Sequence, residues 1–347
     1  MVETPVFLDA DTRREVIENL ARSVESDYVF PEVAQTMSEK LRMALAAGTY
    51  DDIVEPVALR ERLTTDLQDV CHDKHVRVRC GGEIHFFGSP DEDADAARAE
   101  ELAAAQWDNF GFYRVERLAG NIGYLDLHIF WDAGLPGAGD AAVAAMNLLA
   151  YTDALIIDLR KNGGGSPSMV GLLSSFLFGP EPVHLNSFYD RRDAKTRQFW
   201  TSAYVPGPRT PDKPVFVLTS TTTFSGAEEF TYNLKNLKRA TIIGETTGGG
   251  AHPGGYVDLT SGFCVFLPGG RAVNPITGTN WEGKGVEPDI EVPQAEAFDL
   301  AYRLALETVL AKLEDAPTRS AQARGKEVRA ALAAYQSGSE TDVRQDG

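Results

Sequence analysis

The residue best placed to act as a nucleophile is Ser225, which lies between a short apolar run and a helical pattern. Residues 215–218 predict a buried strand, and the apolar spacing from Phe230 to Leu234 and Leu237 is typical of one helix face. A serine at a strand-to-helix turn can present its hydroxyl beside free backbone N–H groups, as in a nucleophile elbow. The same position also suits a plain helix N-cap, so Ser225 alone leaves both interpretations open.

A glycine-rich turn follows a second predicted strand at residues 154–159. The three glycines at 163–165 allow a close backbone approach and positive φ angles. Such a turn could cradle a phosphate, direct an N–H group at an oxyanion, or carry no chemistry. The G-x-G-x-x-G pattern and the P-loop lysine that many phosphate sites use are both absent here.

Three further loops carry ionisable side chains. Residues 244–255 contain six glycines and His252, which could serve as a base or line a substrate site. Glu282 lies in a glycine-flanked loop before a predicted strand at 290–292, where a solvated carboxylate is the simplest interpretation. His75 lies in the polar segment 73–75, where a single histidine can be structural or exposed.

Together these loops supply the parts of a Ser–His–acid hydrolase with an oxyanion hole. They offer a hydroxyl at a helix start, an imidazole, a carboxylate and a glycine turn, all at the ends of predicted elements. Neither an H-E-x-x-H motif nor a Cys/His cluster is present in the sequence. We therefore expect no metal and no cofactor.

The periodicity around these loops predicts an α/β (α+β) fold. Segments such as 31–46 and 57–70 repeat apolar residues at helical spacing, which predicts a three-helix N-terminal unit. From residue 111 predicted strands alternate with helices, which indicates a mixed sheet with much parallel pairing. The predicted domains are an N-terminal helical domain (1–75), a strand and acidic connecting segment (76–110), an α/β catalytic core (111–315), and a C-terminal helix end with a polar tail (316–347).

Composition excludes several classes of partner. The chain has 347 residues and a formal net charge of −18, which disfavours nucleic acid and anionic membranes. The sequence has no apolar run long enough for a membrane span. Its three cysteines do not indicate a disulfide scaffold, although the sequence leaves open whether Cys71 and Cys80 form a disulfide bond. The acidic N-terminus does not read as a signal peptide, so we expect a cytoplasmic location, or a secreted or periplasmic one if a leader was removed.

Four stretches resemble the tail-specific, or C-terminal processing, protease family of serine peptidases. They are IIDLRKNGGG (156–165), TFSGAEEF (223–230), KRATIIGETTGGG (238–250) and GKGVEPDIEV (283–292), in the order of that family. The helical N-terminal unit, AAAQWDNFGFYRVERL (103–118) and GETTGGGAHPGG (244–255) are similar to the interphotoreceptor retinoid-binding protein branch. The resemblance implies a crotonase/ClpP-like core, and we expect the PDZ domain of the processing proteases to be missing.

The resemblance also implies roles for individual residues. It puts the nucleophile on Ser225 and the two oxyanion donors on the N–H groups of Gly165 and Gly226. Further contacts to substrate are expected from Gly164, Gly248, Gly249 and His252.

The roles of base and acid are assigned by resemblance to a different branch of the family. The catalytic lysine of the processing proteases falls on Gly250, so a Ser–Lys dyad is absent. The tricorn protease branch instead uses a histidine and a glutamate, and these roles fall on His75 and Glu282. We therefore expect a serine peptidase with a Ser225–His75–Glu282 triad that acts on a peptide or protein. The alternatives are a binding protein for retinoid- or fatty-acid-type ligands and a crotonase-type acyl-CoA enzyme.

Overall fold

The computed structural model describes residues 7–81, 94–314 and 318–336. The helices are α1 (Ala10–Asp27), α2 (Pro31–Ala46), α3 (Pro56–Cys71), α4 (Ala94–Trp107), α5 (Ala138–Leu148), α6 (Pro167–Leu177), α7 (Gly226–Asn236), α8 (Gln294–Glu314) and α9 (Arg319–Gln336). The strands are β1 (Arg77–Cys80), β2 (Phe112–Leu118), β3 (Ile122–Leu127), β4 (Ala154–Asp158), β5 (His184–Asp190), β6 (Lys195–Trp200), β7 (Val215–Thr219), β8 (Thr241–Gly244), β9 (Gly254–Thr260), β10 (Phe263–Pro268), β11 (Gly270–Val273) and β12 (Ile290–Glu291).

The chain divides into two compact units. The first contains Met1–Gln106, Asn186–Gln198 and Gly249–Gly283, and the second contains Trp107–Leu185, Phe199–Gly248 and Lys284–Gly347. The sequence groups 186–198 and 249–283 with the catalytic core instead, and its four-part division stays a prediction. The predicted tail at 337–347 and residues 82–93 of the predicted connecting segment lie outside the described residues.

The first unit combines the three predicted N-terminal helices with a three-stranded sheet. Asp9 caps α1 by accepting a 2.7 Å hydrogen bond from the N–H of Thr12, and prolines open α2 and α3. The sheet has the order β1-β10-β9, and the predicted β9–β10 hairpin is confirmed. Residues such as Val16, Leu20 and Val265 are fully buried in one hydrophobic cluster that joins helices and sheet.

The second unit contains a six-stranded sheet that positions the serine and glycine turns. Its order is β12-β8-β7-β4-β3-β2, in which β2 and β3 are antiparallel and the other neighbours are parallel. Since β4, β7 and β8 are parallel neighbours, the loops that follow them leave the same edge of the sheet. Helices α8 and α9 cover one face, with Ala301, Ala305 and Val328 buried against it. The predicted mixed α/β fold is confirmed.

Several elements escape sequence analysis because they lack a clear pattern. The side chains of β6 are mostly exposed, and β11 has only four residues, which pair with β5. Helix α9 lies where the sequence predicts a helix end and tail.

All three cysteines, Cys71, Cys80 and Cys264, are thiols. Among the described residues, no helix is both long and apolar enough to cross a membrane.

Candidate active site

Ser225 occupies a strained turn between β7 and α7. Its backbone angles are φ 52° and ψ −118°, a conformation that residues with a side chain rarely adopt. Strain of this kind costs on the order of 1–3 kcal/mol and persists where surrounding contacts enforce it. The half-buried serine immediately precedes the first residue of α7, Gly226. This strand–turn–helix arrangement is typical of a nucleophile elbow.

A buried glutamate holds the serine turn in place. The backbone N–H of Ser225 donates to Oε2 of Glu228 at 2.9 Å, and Glu228 is fully buried. The hydroxyl of Thr247 donates to Oε1 of the same carboxylate and accepts the N–H of Val286 at 2.7 Å. The Glu228 carboxylate therefore ties the strained turn to the loop that follows β8.

The glycine turn after β4 lies directly against the serine turn. The N–H of Phe224 donates to the carbonyl oxygen of Asn162 at 3.1 Å. A Cβ added to Gly164 would lie 2.7 Å from Cβ of Ser225, and one added to Gly226 would lie 2.7 Å from the oxygen of Gly165. These positions have no room for side chains, so glycine is required for the close approach.

Two backbone donors of these turns are available for a ligand. Among residues 7–81, 94–314 and 318–336, the N–H groups of Gly165 and Gly226 donate no hydrogen bond. Gly226 is the first residue of α7, where an N–H has no acceptor within the helix and the helix dipole adds positive potential. Gly165 has φ 129° and belongs to the turn pressed against Ser225. Such donors suit a developing oxyanion.

The first unit brings two histidines and two carboxylates together. Asp73 and His75 lie in the loop between α3 and β1, His252 precedes β9, and Glu282 follows β11. Oδ2 of Asp73 lies 2.8 Å from Nδ1 of His252, and Oδ1 lies 3.6 Å from Nδ1 of His75. Oε2 of Glu282 lies 3.4 Å from Nδ1 of His252. This acid–histidine cluster is defined by these four residues.

The loops that carry the cluster are fixed by backbone contacts. The N–H of Ala251 donates to Oε2 of Glu282, and the N–H of Gly283 donates to the oxygen of Gly249 at 2.9 Å. The indole N–H of Trp281 donates to the oxygen of Gly250 at 2.7 Å. These bonds hold the glycine-rich loop beside the loop of Glu282.

The two carboxylates of the cluster differ in protonation. Burial opposes ionisation of Asp73, but hydrogen bonds and charge from His252 and His75 outweigh it and hold its pKa below the usual range. Burial, followed by the negative charge of Asp73, raises the pKa of Glu282. Asp73 therefore retains the negative charge most firmly.

This difference predicts stability changes of opposite sign at pH 7. Asp73→Asn should lower the free energy of unfolding by roughly 3 kcal/mol, because it leaves buried histidines without their anion. Glu282→Gln should raise it, because the ionised form of a carboxyl with a raised pKa is unfavourable in the folded state.

Both effects should diminish as the pH falls, but over different pH ranges. The Asp73 contribution is complete above its unfolded pKa near 3.8 and is lost as the pH falls through the lowered folded value. The gain from Glu282→Gln should fade as the pH falls through the raised folded pKa and vanish below the unfolded value of 4.5, where Glu282 is protonated in both states. Urea unfolding from about pH 2 to 8 measures both. A Glu282→Gln variant that is as destabilised as Asp73→Asn at pH 7 would contradict the assignment of charge.

The predicted site residues fall into two groups. The second unit holds Ser225, Gly164, Gly165, Gly226 and Gly248, and the first holds His75, Glu282, Gly249 and His252. Within the first unit, Asp73, His75 and Glu282 each offer one ligand atom within 4.8 Å of the others, a set that could hold a divalent cation. The Ser225–His75–Glu282 triad and the expected absence of a metal stay predictions.

The sequence alone assigns no role to Asp73 and Glu228, two carboxylates that hold loops of the site in place. Asp73 was visible only as a neighbour of His75, and its contact with His252 depends on the fold. Glu228 is three residues after Ser225, and the S-x-x-E pattern is a sequence signal for a capping box.

Comparison with known proteins gives the family. Residues 121–292 match peptidase family S41, and residues 10–106 match the N-terminal domain of S41 peptidases in eukaryotic IRBP. The chain belongs to peptidase family S41. The resemblance to C-terminal processing proteases and to the retinoid-binding branch is thereby confirmed. The first match contains the serine turn, the glycine turn and Glu282. The second match contains His75.

One curated relative shows how far the sequence likeness extends. A carboxy-terminal-processing protease of Bartonella bacilliformis is 31% identical over 186 residues, which are 52% of this chain. The match spans only 40% of that relative's length.

Two solved structures share the fold. A protein of Parabacteroides merdae, named as a candidate peptidase, has a TM-score of 0.56 at 19% identity, covering 83% of this chain and 92% of that one. A lipoprotein of Streptococcus agalactiae has a TM-score of 0.55 at 17% identity, covering 87% and 98%.

Proposed function

We propose that this S41 family member is a serine peptidase whose nucleophile is Ser225. The observation that carries the proposal is the strained backbone of Ser225 at the start of α7, beside the N–H groups of Gly165 and Gly226. A plain N-cap needs no such strain, because N-cap residues usually adopt extended backbone angles.

The proposed reaction follows the two-step chemistry of serine hydrolases. Oγ of Ser225 attacks the peptide carbonyl carbon while His75 accepts its proton, and the N–H groups of Gly165 and Gly226 stabilise the oxyanion. His75 then protonates the leaving amine, and an acyl-enzyme remains. Water, deprotonated by His75, hydrolyses the ester and releases the carboxylate product and Ser225. In this proposal Glu282 orients the base and stabilises its cation.

Peptide or protein substrates are proposed on the strength of the family. We expect Gly164, Gly248, Gly249 and His252 to contact the substrate. The high net negative charge of the chain gives no reason to expect nucleic acid as a partner.

A peptide library provides the test. The protein should create new peptide termini in a proteome-derived library, detected by mass spectrometry. Prior treatment with a fluorophosphonate should stop cleavage, and EDTA should leave it unchanged, because no metal takes part in the proposed reaction. Cleavage that resists the fluorophosphonate but stops with EDTA would contradict the proposal. Lipid that co-purifies with a protein showing no cleavage would favour the ligand-binding alternative.

A further inference from the structure

We propose that Asp73, His75 and Glu282 bind a zinc ion, and that zinc bound there inhibits the peptidase. One ligand atom of each residue lies within 4.8 Å of the other two, and all three residues belong to the first unit. The inhibition rests on the proposed function, because zinc would occupy the imidazole that acts there as the base. The ion is thus an inhibitor and not a cofactor, so its removal by a chelator does not stop the reaction.

The spacing of the ligand atoms is close to that around a tetrahedral zinc ion. Zinc bonds of about 2.0–2.1 Å to nitrogen and oxygen place neighbouring ligand atoms about 3.3–3.4 Å apart. Oδ1 of Asp73 lies 3.6 Å from Nδ1 of His75, so these two atoms need to move little to share an ion. The other separations, up to 4.8 Å, must shorten when the ion binds. Three protein ligands and one water molecule form a common zinc coordination.

The carboxylate of Glu282 has one oxygen that lacks a hydrogen-bond donor. Oε2 accepts the N–H of Ala251, whereas Oε1 is shielded from water and accepts no hydrogen bond from the described residues. A buried acceptor without a donor costs free energy and calls for a bound water molecule or an ion. A cation would satisfy Oε1 while the bond to Ala251 stays in place.

Neighbouring side chains already orient the carboxylate of Asp73. Its Oδ2 lies 2.8 Å from Nδ1 of His252 and accepts the hydroxyl of Tyr28 at 3.4 Å. Partners of this kind fix the direction of a carboxylate that binds a metal, and losing one costs about 10–100-fold in metal affinity. Oδ1 accepts the backbone N–H of His75 at 2.9 Å, and a carboxylate oxygen has a second lone pair that can bind the ion.

The chemistry of the ligand set favours zinc over magnesium or calcium. An imidazole nitrogen suits zinc and related transition-metal ions, whereas magnesium and calcium prefer oxygen ligands. The side chains of Asp73 and His75 are 1% and 9% exposed, so the ion would be held away from bulk water. The side chain of Glu282 is 17% exposed, which leaves the set open to solvent at this residue.

Isothermal titration calorimetry with zinc chloride, on protein freed of metal by a chelator and dialysed, tests the site. The wild type should bind one zinc ion per chain, and magnesium chloride should give no binding. Glu282→Gln, shown to be folded by circular dichroism, should bind zinc at least about 100-fold more weakly, since losing a ligand costs more than losing a partner that orients one. Zinc should also slow fluorophosphonate labelling and peptide cleavage by the wild type, with half-inhibition near the calorimetric Kd, and EDTA should restore both.

His72→Asn is the matched control for zinc held by a surface histidine. His72 is an exposed residue of the same loop, and asparagine tolerates its left-handed φ of 54°. This variant should bind zinc like the wild type. Absence of zinc binding, equal affinity of Glu282→Gln and wild type, or weakened binding by His72→Asn overturns the site, and zinc that binds without slowing an active wild type overturns the inhibition. If metal-free wild type is neither labelled nor able to cleave, the proposed function fails, and calorimetry still decides whether the site exists.

Discussion

Replacing Ser225 with alanine is expected to lower kcat/KM for a cleaved peptide by about 10⁴–10⁶-fold, the effect of removing the nucleophile of a serine peptidase. The substitution deletes only Oγ. Alanine keeps Cβ and therefore experiences the same strained φ of 52° as serine, and the N–H bond to Glu228 remains. We thus expect the urea unfolding curve of the variant to stay close to that of the wild type.

A control serine in the same unit separates loss of the nucleophile from general damage. Ser202 is exposed, and the bonds that the structure shows for it involve its backbone N–H and oxygen. Ser202→Ala should keep full activity on the same peptide. Activity of Ser225→Ala within tenfold of wild type, measured on protein free of contaminating peptidase, would contradict the assignment.

Replacing Gly165 with alanine should damage both the fold and the chemistry. The new Cβ would lie 2.1 Å from the carbonyl oxygen of Phe130, and the backbone φ of 129° strains any residue with a side chain. We expect a loss of about 3 kcal/mol in the free energy of unfolding, from overpacking and backbone strain together. Displacement of the Gly165 N–H should lower kcat by about 10²–10³-fold in the molecules that fold, as loss of an oxyanion donor does.

Gly163 provides the matched control in the same turn. A Cβ at Gly163 would meet nothing within 4 Å, and its φ lies outside the left-handed region. Gly163→Ala should therefore be close to wild type in urea unfolding and in kcat. Equal effects of the two substitutions would show that the turn is merely intolerant of alanine, and would remove the support for Gly165 as a donor.

Elements with strong local signals were predictable from the sequence. Helix α2 has the predicted limits, because Pro31 opens it and apolar residues repeat on one face. The strands of the parallel sheet also match closely, since they are apolar runs that end in turns. Strand β6 was missed because a mostly exposed strand shows no alternation of apolar and polar residues.

The site was predictable as a set of loops but not as a set of contacts. Ser225 and the three glycines could be paired because adjacent parallel strands send their loops to one edge. The contact between Asp73 and His252 joins residues 179 positions apart, and no local pattern reports such a contact. The charge of Asp73 relative to Glu282 likewise depends on burial, which follows from tertiary packing.

The most direct test of the central claim is the position of a covalent fluorophosphonate adduct. In the expected reaction Oγ of Ser225 displaces fluoride from phosphorus, and intact-mass measurement shows one adduct per chain. Peptide mapping should place that adduct on Ser225, and the Ser225→Ala variant should remain unmodified under the same conditions. An adduct on another residue, or undiminished labelling of Ser225→Ala, would contradict the account.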